Sequence, residues 1–125
     1  MPGDAMLLDG SNSYFVVDEV EQSVVQRVEE KDIHPTGPLY GLGELATNQQ
    51  VANIENKIMA SEPLFLSGLE KCKAKMSRRS LRLDIKNMHW QLFEHEGQQI
   101  LELQFDLASG SYATSVLREL ISLKN

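Results

Sequence analysis

Tyr112 is the residue whose type and position most readily suggest chemistry. It stands in "GSYATSVLRELI", directly after Gly110 and Ser111, where an apolar pattern of helical period begins. The N-terminus of a helix presents free N–H groups and a positive dipole end, which suit an anion. An aromatic face beside such donors suits a stacked base with its phosphate. The competing reading is a tyrosine at the edge of the core. The hydroxyls around it, Ser111, Thr114 and Ser115, have no histidine at a suggestive position. Helix capping is their expected role, with Ser111 accepting the first backbone N–H bond.

The other reactive residue types form no constellation. His34, His89 and His95 make no H-x-x-x-H or Cys/His pair, so no metal site is expected. Glu94 and Glu96 read as exposed acids in a turn. Cys72 is the single cysteine, so no internal disulfide can form. It reads as a partly buried thiol in a reducing cytosol. No nucleophile and base stand together, so no catalytic residue is assigned, and nothing implies a cofactor.

Charge is distributed unevenly. Seven of the twelve Lys and Arg residues fall within 71–86, "KCKAKMSRRSLRLDIK", against one acid, whereas the chain as a whole carries −6. Clustered bases attract phosphates through Coulomb attraction and counterion release. Bases at a helix C-terminus are also favoured by the dipole, so a solvated helix end is the alternative.

The elements that must position these residues follow from periodicity. Residues 4–8 and 13–17 read as two short strands joined by "DGSNS", a turn-rich connector. Asp18 is placed to cap a helix reaching about Lys31, with Val20, Val24, Val25 and Val28 on one stripe. "HPTGPLYGLGEL", with two prolines and three glycines, reads as a loop. Its glycines lack the lysine and spacing of a nucleotide loop. A helix then places Val51, Ile54, Ile58 and Met59 together. Another, capped by Ser61 with Pro63 in its first turn, ends in the basic stretch. The period then changes to two. "LRLDIK", "MHWQL" and "LELQFDL" alternate as three strands, with "EHEGQQ" as the turn of a hairpin. A terminal helix carries Ala113, Val116, Leu117, Leu120 and Ile121 on one stripe. The class is α+β: a mainly helical, acidic segment, then an antiparallel β-meander closed by a helix. That meander is thin for independent folding and reads as part of a larger sheet. No apolar run reaches the roughly 18 residues that a membrane helix needs.

Three stretches together resemble one family. "GSYATSVLRELI" is similar to the C-terminal signature of the tRNA pseudouridine synthase D (TruD) family, a Gly-Ser-aromatic-Ala-Thr-Ser helix start followed by Arg-Glu-Leu. "RRSLRLDIKNMHW" resembles the family's double-arginine entry into its last strands. "GDAMLLDGSNSYFVV" resembles the start of an earlier segment. The resemblance spans essentially the whole chain. It implies an isomerase that converts uridine 13 in the tRNA D arm to pseudouridine. It also implies a pseudouridine-synthase catalytic domain interrupted by an inserted domain. On this resemblance residues 1–80 are the end of the inserted domain, and 81–125 the last part of the catalytic domain. The family's nucleophilic aspartate lies in a Gly-x-Lys-Asp motif, which this sequence does not contain. The chain alone is therefore expected to be inactive and to be a C-terminal portion only.

The family aromatic at the Gly-Ser-aromatic step is a substrate-contacting phenylalanine, and Tyr112 stands there with a hydroxyl added. The resemblance implies base stacking for Tyr112 and an RNA-facing role for Arg78, Arg79 and Arg82. Its implied partners are tRNA and the N-terminal part of the same enzyme, in the cytoplasm. Two other classes stay open: an autonomous protein-interaction domain using the acidic helical half, and a non-catalytic RNA-binding remnant.

Overall fold

The computed structural model describes residues 1–121. The chain divides into two compact units, Met1–Arg82 and the residues from Leu83 onward. Residues 122–125, the end of the segment expected from 81 to 125, lie outside the described part. The class is α+β with antiparallel sheets and a terminal helix, as the patterning indicates.

The first unit is built on a four-stranded antiparallel sheet. Strands β1 (Asp4–Leu8) and β2 (Tyr14–Val17) form the expected hairpin. Its turn closes through Leu8 N–H to the Ser13 carbonyl (3.0 Å) and Ser13 N–H to Ser11 Oγ (2.9 Å). Helix α1 (Gln22–Glu29) follows, shorter than expected and starting from Glu21 rather than Asp18. Its Val24 and Val28, one turn apart, pack on Met6, Val17 and Ile33, the buried centre of the unit.

The stretch expected to be a loop is instead strand β3 (Ile33–Leu39). It holds two prolines because it changes partner midway. Residues 33–35 pair with β1, and residues 36–39 pair with β4 (Ser77–Ser80). Each proline thus has its ladder partner on one side, Pro35 on β1 and Pro38 on β4, and the Pro35 carbonyl still accepts from Leu81 N–H (2.8 Å). The sheet order is β2-β1-β3-β4.

Helices α2 (Gln49–Ala60) and α3 (Pro63–Lys71) stand between β3 and β4. Pro63 opens α3, but Glu62 is its N-cap, and Ser61 instead closes α2 through Oγ to the Ile58 carbonyl (2.6 Å). The buried side of α2 runs through Val51 and Glu55, leaving Ile54 and Ile58 exposed. The basic stretch does not extend α3; its arginines lie on and beyond the edge strand β4.

The second unit is a hairpin and a helix. Strand β5 (Ile85–His95) pairs with β6 (Gln98–Leu107). Glu96 and Gly97, both at positive φ (51° and 76°), make the two-residue turn, the hand that matches strand twist. The three expected strands are two, because only Ile85-Lys86 of "LRLDIK" is strand, and it runs into "MHWQL" as one strand with a bulge. The register slips between Lys86 and His89, and Asn87 sits at φ 50°. The extra residue changes the parity. Ile85, opposite Leu107, thereby shares a face with Trp90, opposite Leu103, and Leu92, opposite Leu101. Helix α4 (Ala113–Leu120) ends the described chain, with Val116 buried.

Candidate nucleic-acid interface

The arginine-bearing strand splits by parity. Successive side chains on a strand point to opposite faces. Along β4 the alternation is exposed Ser77, half-buried Arg78, exposed Arg79 and half-buried Ser80. The Arg78 side chain is only 2% exposed and turned inward. Its Nη2 donates to Glu55 Oε1 (2.6 Å) and the Thr36 carbonyl (2.9 Å). Its Nη1 reaches Glu55 Oε2 (3.2 Å), and its Nε donates to Thr36 Oγ1 (2.7 Å). Thr47 Oγ1 donates to Glu55 Oε2 (2.6 Å), and Thr36 Oγ1 to the Ala5 carbonyl (2.5 Å). Four N–H bonds from one guanidinium tie β4, β3 and α2 together. Burial also pushes the nearby Asp4 carboxyl above its ordinary value, opposed by the chain amino terminus and Arg78. Among the described residues no buried side-chain polar atom lacks a partner.

Arg82 is also bound within the first unit. Its Nη2 donates to the Val28 (2.6 Å) and Ile33 (2.9 Å) carbonyls, and its Nε donates to His34 Nδ1 (2.8 Å). An arginine Nε–H can only donate. Nδ1 of the buried His34 is therefore the acceptor, and Nε2 carries the proton toward Asp9 Oδ1 (2.9 Å). Of the three arginines expected to face RNA, only Arg79 is exposed. Sequence reasoning missed Glu55, Thr36 and His34 as partners of the other two, and Thr47 as the donor behind Glu55. The available signal was an acid one turn after Val51 on an otherwise apolar helix face.

Tyr112 lies at the N-cap itself (φ −122°, ψ 127°), one residue earlier than the first-turn position expected, and Ser111 is not the cap. Gly110 at φ 84° turns the chain into it, and the Tyr112 carbonyl accepts from Ser115 N–H (3.0 Å). The tyrosine is 61% exposed, so its ring is accessible and is no core-edge filler. In the same unit, His89, Trp90, Gln91, Glu102 and Gln104 line an open cleft on the hairpin. Gln91 Nε2 donates to Glu102 Oε1 there (2.8 Å). His95 lies 3.9 Å from the Glu96 carboxylate beside the turn. Cys72, expected to be partly buried, is exposed. Among the described residues no three His, Cys, Asp or Glu side chains group as a metal-ligand set. No described helix is long and apolar enough to cross a membrane.

Within the second unit an exposed aromatic at a helix start can stack a base; within the first, an exposed base on an edge strand can meet a phosphate. The family model described as tRNA pseudouridine synthase D (TruD) matches residues 1–120. A protein named tRNA pseudouridine synthase D from Hydrogenovibrio crunogenus is 43% identical over 122 residues, covering 98% of this chain and 34% of the relative. Proteins of that name from Nitrosococcus oceani (38% identical, 97% of this chain, 33% of the relative) and Psychrobacter arcticus (40%, 97% and 31%) match similarly. The chain spans about a third of the length of these relatives.

Proposed function

The chain belongs to the tRNA pseudouridine synthase D family, and from that premise we propose that it forms the base-stacking wall of an enzyme that isomerises uridine 13 in the tRNA D arm. The observation that carries this reading is Tyr112, an exposed ring at the N-cap of α4. It stands within the Gly110-Ser111-Tyr112-Ala113-Thr114-Ser115 start that resembles the family signature. A base inside a paired arm must leave the stack to be isomerised, and an aromatic face recovers part of the lost stacking.

The nucleophile comes from elsewhere in the enzyme. No Gly-x-Lys-Asp occurs among the 125 residues, and stacking cannot replace covalent attack at the sugar. The first unit is read as the end of the inserted domain, and the second as the last part of the catalytic domain. The preceding part of the enzyme and cytoplasmic tRNA are the partners. Arg79, outward on β4, contacts the RNA, while Arg78 and Arg82 shape the unit that presents it.

The test substitutes this chain for the matching C-terminal third of the Hydrogenovibrio crunogenus relative and assays pseudouridine formation in unmodified tRNA. The chimera should be active at uridine 13 and the 125-residue chain alone inactive. A folded, inactive chimera, or turnover by the chain alone, overturns the reading. Within the chimera, Tyr112→Phe should keep parental activity. Tyr112→Ala should lower the rate about 5- to 150-fold, the equivalent of roughly 1–3 kcal/mol of stacking. Because the residue is exposed, the melting temperature should not move.

A further inference from the structure

The alternation that turns Arg78 inward turns Arg79 outward, and three lysines that precede β4 are exposed as well. Lys71 ends α3, and Lys73, Lys75 and Arg79 follow at odd positions, all exposed. Among the described residues none of the three lysines belongs to an ion pair. Glu70, the acid next to Lys71, accepts a hydrogen bond from Tyr40 Oη at 2.5 Å.

The backbone beneath these lysines is held in place. Lys73 occupies the left-handed position (φ 54°) just past the C-cap of α3. Its N–H bonds the Glu70 carbonyl (2.9 Å), and Ala74 N–H bonds the Leu69 carbonyl (3.0 Å). This is a Schellman closure with lysine where glycine is usual. Leu42 then clamps the exit: its N–H donates to the Ala74 carbonyl (2.6 Å), and its carbonyl accepts from Met76 N–H (3.0 Å). The clamp is tight, since a Cβ on Gly41 would meet the Ala74 carbonyl oxygen at 2.5 Å. From Lys75 to Arg79 the chain advances four residues along an edge, about 13 Å at ~3.3 Å per residue. The result is a row of cations on a braced edge in a unit that is otherwise acidic.

We propose that Lys71, Lys73 and Lys75, continued by Arg79, form the surface on which this chain holds the phosphodiester backbone of tRNA. The inference rests on the reading of the chain as part of a tRNA-modifying enzyme, and deepens it by moving the backbone contact from the arginines to the lysines. Lys71, Lys73 and Lys75, which join no ion pair among the described residues, can give up their counterions to phosphates, whereas Arg78 would first have to leave Glu55.

The experiment measures binding of an unmodified tRNA transcript by the full 125-residue chain as salt is varied. In Lys71→Gln/Lys73→Gln/Lys75→Gln, the slope of log affinity against log salt should fall by about 2 to 3, with the melting curve unchanged. Lys73→Gly separates binding from folding. Glycine relaxes the left-handed position, so this variant should melt at or above the parent while its slope falls by about 0.7 to 0.9. An unchanged slope in the triple variant overturns the row, and the lysines are then a solvating edge and a helix-end charge. A parent chain that does not bind tRNA at 50 mM salt also overturns it. Failure of the broader reading is seen separately, as an inactive chimera in the pseudouridine assay.

Discussion

The two units solve the problem of a small interior in opposite ways. The first, Met1–Arg82, closes on a short apolar centre of Met6, Val17 and Ile33, and joins its sheet to α2 with the buried Arg78–Glu55 pair. The second buries Val116 but leaves Trp90 69%, Leu92 60% and Leu101 45% exposed on one face of its hairpin. An isolated two-stranded hairpin is marginal in water, and three or more strands or a packed helix are needed to stabilise one. The contrast teaches that patterning and completion are different properties. The hairpin has the cleaner alternation of the two units, yet the less patterned first unit is the one whose polar and apolar groups find partners.

The largest expected effect breaks the first unit where it is joined. Arg78→Ala leaves the buried Glu55 without its cation, which should cost about 3–5 kcal/mol in urea unfolding followed by α2 helicity. Replacing both partners with Met and Leu should restore much of that loss. A single variant that unfolds with the parent would mean that the pair does not close this unit, and the contrast would fail.

A second pair of substitutions sharpens it. Ile33→Ala removes a fully buried side chain (0% exposed) and should cost about 2–5 kcal/mol. Trp90→Ser removes a larger side chain from an uncovered face and should stay within about 0.5 kcal/mol. Equal losses in thermal unfolding would show that the hairpin face is covered in this chain after all.

The smallest effect is electrostatic and depends on pH. Burial holds the Asp4 carboxyl above its ordinary value of 3.8. Folding therefore favours its protonated form, and its ionisation costs stability as pH rises through that raised range. Asp4→Asn, fixed in the neutral shape, should melt above the parent at pH 7, and the two should converge below the ordinary value. A variant that loses stability at pH 7 would show that attraction to Arg78 outweighs burial at this carboxyl.

Much of this architecture was legible in order of residues. The strict alternation of Leu101, Leu103, Phe105 and Leu107 defines β6, and "EHEGQQ" defines its turn, because both depend on neighbours in sequence. Even the bulge has a trace: apolar positions are odd at Leu83 and Ile85 and even at Met88, Trp90 and Leu92, and one extra residue at Asn87 reconciles them. The stretch at 34–39 was misleading because proline and glycine punctuate loops, and only β3's change of partner makes a strand of it.

For the candidate site the division is sharper. Sequence alone determined that seven cations cluster in 71–86, that an aromatic follows Gly110-Ser111, and that no Gly-x-Lys-Asp is present. Only the tertiary structure decided which cations are available. Arg78 and Arg79 are adjacent and chemically identical, so nothing local separates them. What separates them is one step of strand parity, set by the pairing of Pro38 with Arg78 and of Gly37 with Arg79, and the placement of Glu55 and Thr36, 23 and 42 residues away, on the inward side. A guanidinium taken out of water must be paired where it lies, so those distant partners determine which arginine turns inward.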